Sequence, residues 1–120
     1  VKGDYVMKDG YYAMERLYNQ TKDFTAIACC NDLMAIGAIE KLEEMGIKVP
    51  EDISVVGFDD IDIARLVRPK LTTVAQPIHE MGRVAANMII DIIEGKGSKV
   101  KDDVIFEPNL VVRDSVKKNN

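Results

Sequence analysis

The chain has 120 residues, a formal net charge of −4 and one histidine. That length admits at most one ordinary domain with enough material for a core, and the acidic balance gives no electrostatic basis for this chain itself to grip nucleic acid. No apolar run reaches the roughly 20 residues of a membrane-spanning helix, no secretory leader opens the chain, and adjacent Cys29 and Cys30, in an apolar run, read as buried reduced thiols.

Taken in order, the elements alternate between strand and helix. A short strand is expected before or around Tyr5. Asp9 then caps a helix from Gly10 to about Asn19, whose residues Ala13, Met14 and Leu17 have helical spacing. Thr25 to Cys30 is a short apolar run of the kind that forms a buried strand. Asn31 follows it, and Asp32 is a natural N-cap for a helix that runs to Met45 and stops at Gly46.

Pro50 separates that helix from a strand rich in β-branched residues, Ile53 to Phe58. A turn or short helix covers Asp62 to Val67 and is broken by Pro69. Leu71 to Ala75 is the next strand, and Pro77 suits the first turn of a long helix reaching about Glu94. Gly95 and Gly97 close it. Val104 to Val112 is the last strand, with Pro108 placing part of it at an edge or bend. The tail from Lys117 to Asn120 is expected to fray. Strand alternating with helix is the mark of a parallel α/β sheet with helices on both faces.

Two helices carry more apolar surface than one sheet face needs. Leu33 to Ile39 has no charge on any side, although a helix lying on a sheet needs only one apolar stripe. The surplus is covered either by a loop over the helix end or by a second subunit. The helix from Pro77 carries Ile78, Met81, Ala85, Met88, Ile89 and Ile92 at helical spacing, widened by Val84 and Ile93.

The site follows from position before chemistry. Ligands of open parallel sheets bind outside the carboxyl ends of the strands. Tyr5, Asn31, Asp59 and Gln76 each come just after a strand candidate and are expected on one rim. A carboxylate and two amides can bracket hydroxyl groups, and a ring can stack on the apolar face of a sugar or base. The plainer readings are a turn residue for Asn31, packing for Tyr5 and a structural role for Gln76. Asp59 is the strongest of the four, because it follows a buried strand and has Asp60 beside it.

A metal or phospho-acceptor role for Asp59-Asp60 would need a helper lysine after Leu71, where Thr72 and Thr73 stand instead. There is no Gly-x-Ser-x-Gly elbow and no phosphate-cradling glycine loop. His79 lies in a first helical turn, where solvation is the ordinary state. No catalytic residue, cofactor or metal is therefore expected.

At these residues the chain resembles the effector-binding core of LacI/GalR-type bacterial transcription regulators, which have the type I periplasmic-binding-protein fold. The matching motifs are Gly3-Asp4-Tyr5 with Gly10-Tyr11, ACCNDLMAIGA from Ala28 to Ala38, VPEDISVVGFDD from Val49 to Asp60, LTTVAQP from Leu71 to Pro77, and LVVRDS from Leu110 to Ser115. They run nearly the whole chain in the family's order.

The resemblance implies that Tyr5 stacks on an effector, that Asn31 and Asp59 bind its hydroxyls or ring nitrogens, and that Gln76 contacts it in some members. It implies a homodimer interface including Leu33, Ile36 and Val67. It places residues 1–74 and 104–113 in the C-terminal lobe and the helix at 77–95 in the other lobe. The family's helix-turn-helix and complete N-terminal subdomain are absent from this sequence, as is a counterpart of its upstream effector-holding arginine. The chain, which starts at Val1 without an initiator Met, is accordingly expected to be part of a longer protein. The orphaned stripe of the helix from Pro77 would be covered by a second copy or by a swap.

The implied function is that of a cytoplasmic small-molecule sensor, responding to a sugar or purine-like effector. Operator DNA would be reached only through the missing domain, and no membrane partner is expected. The alternative is an extracytoplasmic sugar receptor of a transport system; an α/β enzyme is a third reading, without a nucleophile or base to support it.

Overall fold

The computed structural model describes residues 1–96 and 103–118. Its elements are α1 (Met7–Gln20), β1 (Ala26–Ala28), α2 (Asp32–Glu44), β2 (Ser54–Asp59), a 3-10 turn (Asp62–Arg65), β3 (Thr72–Ala75), α3 (Ile78–Ile93) and β4 (Asn109–Val111). They fall into two compact units, Val1–Ala75 with Asn109–Asn120, and Gln76–Pro108.

The first unit is a mixed α/β layer built on a four-stranded sheet in the order β1-β2-β3-β4. β1 pairs with β2 and β2 with β3 in parallel, with Ala28 opposite Val56 and Asp59 opposite Ala75. The sheet is thus mostly parallel, as the alternating pattern predicts. β4 departs from it by running antiparallel along β3. That last strand is also shorter than expected. Proline has no N–H for the ladder, and pairing begins only after Pro108; Ile105 before it is 91% exposed.

The core joins Ala35, Ala38, Ile39 and Leu42 of α2 to Val55 of β2, Leu71, Met14 of α1 and Ala64 of the 3-10 turn. Leu42, Leu71 and Val55 are fully buried, and each such side chain contributes about 1.5–3 kcal/mol. At the start of the strands, Ser115 sits buried between β2 and β3. Its hydroxyl accepts from the Thr72 N–H (2.8 Å) and donates to the Val55 carbonyl (2.6 Å), while its own carbonyl accepts from the Val55 N–H (2.8 Å).

Much of the surplus apolar surface of α2 meets α1 in the same chain. A Cβ on Gly37 would collide with the Met7 carbonyl, and one on Gly10 with the Met34 backbone, so the helices cross at backbone contact. Lys41, buried on α2, ties the pair through Glu15 (2.8 Å) and the Tyr11 hydroxyl (3.3 Å) of α1, and also pairs with Glu44 of its own helix (3.5 Å).

Other boundaries move by small amounts for local reasons. α1 starts at Met7 with Val6 as its N-cap residue; Asp9 lies inside the first turn and accepts instead from the Asp4 N–H (3.2 Å). α2 is capped by Asn31, not Asp32, because the Asn31 Oδ1 accepts from the Met34 N–H (2.9 Å). No strand forms around Tyr5, whose carbonyl accepts from a side chain and not from a neighbouring strand. The run expected as a buried strand with buried thiols is shorter and more exposed: β1 ends at Ala28 with Ala26 and Ala28 exposed, Cys29 is half-buried and Cys30 is exposed. Gly46 and Gly95 both take positive φ just past their helices, as C′ glycines do. Gly97, Asn119 and Asn120 lie outside the described residues; Lys117, expected to fray, donates its N–H to the Ser54 hydroxyl (3.2 Å).

The second unit is dominated by α3, which has no buried residue. Ile78, Ile89, Ile90, Ile92 and Ile93 are all exposed along it.

Candidate functional site

β1, β2 and β3 are parallel, so their carboxyl ends share one edge of the sheet. The segment after β1 leads through Cys30 to Asn31; β2 ends at Asp59; Gln76 directly follows β3 and begins the second unit. Tyr5 does not arrive on a strand. It is brought to the rim by the Asn31 Nδ2, which donates to the Tyr5 carbonyl (2.8 Å). The Tyr5 side chain stays on the surface, with 62% of the residue exposed.

Asn31 therefore has two structural duties, capping α2 through Oδ1 and holding the Tyr5 loop through Nδ2. An amide has two donors and two acceptor sites, so one of each remains beyond these bonds. Both the turn-residue reading and the ligand reading of Asn31 are compatible with that geometry.

Among the described residues, three non-glycine residues adopt left-handed backbone: Tyr5 (φ 64°), Asp59 (φ 111°) and Asp60 (φ 56°). All three belong to the rim. Such conformations cost on the order of 1–3 kcal/mol each and persist only where surrounding contacts enforce them. At Asp60 the contacts are visible. Its Oδ1 pairs with the Arg113 Nη2 at 2.5 Å, both side chains being mostly buried, and Arg65 stands 3.7 Å from its Oδ2. Arg113 also donates to the Leu71 carbonyl (2.8 Å), and its backbone N–H donates to the Thr72 hydroxyl (2.8 Å). Asp60 is thus an anchor of the turn, a different task from that of a second ligand carboxylate.

Asp32 is the site-forming residue that sequence reasoning missed. It is 0% exposed. Its Oδ1 accepts from the Thr73 hydroxyl (2.5 Å) and its Oδ2 from the Ile61 N–H (2.9 Å), joining the start of α2 to β3 and to the segment after β2. Gly57 leaves room for it, because a Cβ there would strike the Asp32 carboxylate. Burial pushes the Asp32 carboxyl above the usual carboxylate range; the two hydrogen bonds oppose this, and the nearby charges of Asp59 and Asp60 add to it. The available signal was a carboxylate directly followed by an uncharged helical run, which demands either solvent or buried partners.

The Cys29 thiol is pushed up to about 12, chiefly by burial and then by neighbouring Cys30, which keeps it protonated at neutral pH. Among the described residues, no group of three or more His, Cys, Asp or Glu side chains could hold a metal ion, and no helix is long and apolar enough to cross a membrane. Within the first unit the rim offers the Asn31 amide, the Asp59 carboxylate and the Tyr5 ring, groups that suit noncovalent capture of a polar ligand.

Away from the rim, Ile36 and Val67 line one shallow concavity with Ile39, Glu40, Glu43 and Arg68. Leu33, half-buried at the start of α2, does not line it. Nearby in sequence, Leu66 is 70% exposed.

Residues 1–116 match the family described as periplasmic binding protein-like domain. The transcriptional repressor PurR of Haemophilus influenzae is 43% identical over 119 residues, 98% of this chain and 35% of that protein. A LacI-family regulator from Enterococcus faecium, solved with bound ribose, superposes with a TM-score of 0.85 at 32% identity, over 95% of this chain and 41% of that one. The lac repressor dimer bound to operator and an anti-inducer gives a TM-score of 0.86 at 31% identity, over 95% and 39%. The chain thus spans about a third of the length of the curated relatives it matches. The chain therefore belongs to the periplasmic binding protein-like domain family, in the form found in LacI/GalR-type proteins.

Proposed function

We propose that this chain is the effector-sensing and dimerisation part of a LacI-type transcription regulator acting in the cytoplasm. A small polar ligand, a sugar or a purine-like molecule, is held at the carboxyl ends of the parallel strands. Tyr5 stacks on it, and Asn31, Asp59 and Gln76 exchange hydrogen bonds with it. The observation that carries this reading is the pair of consecutive left-handed residues Asp59 and Asp60 at the end of β2. Strain of this kind concentrates at ligand sites.

Residues 1–74 and 104–113 belong to one lobe and the helix at 77–95 to the other; the division into compact units supports this for residues 1–74, 109–113 and the helix, whereas residues 104–108 group with the helix. The concavity shared by Ile36 and Val67, with Leu33 nearby on α2, supports a homodimer contact there. In the whole protein the ligand favours one lobe arrangement by differential affinity and so shifts a conformational equilibrium. A separate domain reads operator DNA, and the coupling between DNA and ligand is reciprocal. The transport-receptor alternative is not carried forward, because the relatives are transcriptional repressors.

The test is calorimetric titration of the intact protein with ribose and with purine bases. Asp59→Ala should weaken binding of whichever class the wild type takes by about 1.5–3 kcal/mol, the worth of hydrogen bonds to a charged group. Unchanged affinity would remove Asp59 from the site.

A further inference from the structure

The rim is assembled from segments far apart in sequence, and one dipeptide touches two of them. Asn31 donates to the Tyr5 carbonyl, and the next residue, Asp32, accepts from the Ile61 N–H just past Asp59 and Asp60. The Thr73 hydroxyl fixes the other Asp32 oxygen, so the carboxylate cannot swing away from Ile61. The close approach of Gly57 confines it from the sheet side. From this geometry we infer that Asp32 is a positioning residue: it holds the left-handed Asp59–Asp60 turn and, with Asn31, sets the spacing between Tyr5 and Asp59. The inference deepens the ligand-site reading and rests on it for its functional meaning, but its structural content stands apart from any ligand.

Chemistry separates the possible substitutions. Asparagine has the shape of aspartate and can accept from the Ile61 N–H through Oδ1 while donating to the Thr73 hydroxyl through Nδ2. Leucine has the same branched outline with bulkier methyl groups and no acceptor, and alanine removes both volume and acceptor. Thr73→Val disturbs the same buried contact but leaves the Ile61 bond in place. A merely structural role for Asp32 would make all four variants loosen the protein in proportion to lost stability. A positioning role divides them by whether an acceptor for Ile61 remains.

The experiment uses the intact protein without ligand and reads two things: residue-resolved hydrogen exchange at Ile61, and the φ angles of Asp59 and Asp60 in crystal structures of the variants. Asp32→Ala should lower protection of the Ile61 amide by about tenfold or more and release the left-handed pair. Asp32→Leu should do the same where the alanine variant does not fold. Asp32→Asn should keep both features, and Thr73→Val should keep the turn despite a lower melting temperature. Retention of the left-handed pair and of full Ile61 protection in Asp32→Leu or Asp32→Ala would overturn the inference. Asp59→Ala distinguishes the two levels: if it leaves ligand affinity unchanged the site reading fails and the clamp stands, whereas an undisturbed turn in the Asp32 variants defeats the clamp alone.

Discussion

At the scale of single residues, the rim shows how one side chain can serve fold and site together. The place of Asn31 after a strand points to a ligand residue, and the structure makes it the cap of α2. Its neighbour Asp32, a natural cap by sequence, is instead a buried acceptor between β3 and the segment after β2. A one-residue shift in the helix start decides which of the two faces inward. Asp32 also makes a pH prediction whose sign can be worked out. Burial raises its pKa in the folded state, so the folded protein binds that proton more tightly than the unfolded chain does. Ionisation, as pH rises from the ordinary carboxylate range through the raised value, therefore costs stability. Asparagine does not ionise. The stability of Asp32→Asn relative to wild type should increase across that window and level off above it. Denaturant titrations at a series of pH values check this; a difference independent of pH would contradict the assignment.

At the scale of elements, the helix pair α1–α2 explains a surplus of apolar surface that the sequence left between a loop and a partner subunit. Neither alternative included a second helix of the same chain pressed to backbone contact at Gly10 and Gly37. Small residues at a crossing are visible in a sequence, but which helices cross is not, since that depends on how connections fold back. The crossing predicts contrasting effects of alanine. Gly37→Ala inserts a methyl group into the Met7 backbone and should destabilise the protein by about 1–3 kcal/mol, as overpacking does. Gly82→Ala, on α3 with nothing near its added Cβ, should be neutral or stabilise by up to about 1 kcal/mol through helix propensity. Equal effects in chemical denaturation would argue against the close crossing.

At the scale of the whole molecule, α3 is the element without a home. Its six exposed large apolar residues, Ile78, Met81, Ile89, Ile90, Ile92 and Ile93, are buried by no described residue of its own unit. The 120-residue chain made alone is expected to associate through this helix, and Ile89→Lys with Ile93→Lys should return it toward monomer in sedimentation. A stable wild-type monomer would reject the expectation.

The order of strands and helices from α1 onward, the strand-end location of Asn31, Asp59 and Gln76, and the family itself were legible in the sequence, although the strand expected around Tyr5 does not form. Each is carried by local pattern: apolar runs, glycine and proline punctuation, and contiguous motifs such as VPEDISVVGFDD. Local pattern is set by neighbours along the chain, and those are written in order. The reversed direction of β4, the meeting of Arg113 with Asp60, the closure of Asp32 onto Ile61 and the arrival of Tyr5 on Asn31 were decided only by tertiary structure. These contacts join residues tens of positions apart, and their existence depends on burial and close approach that no stretch of sequence specifies by itself.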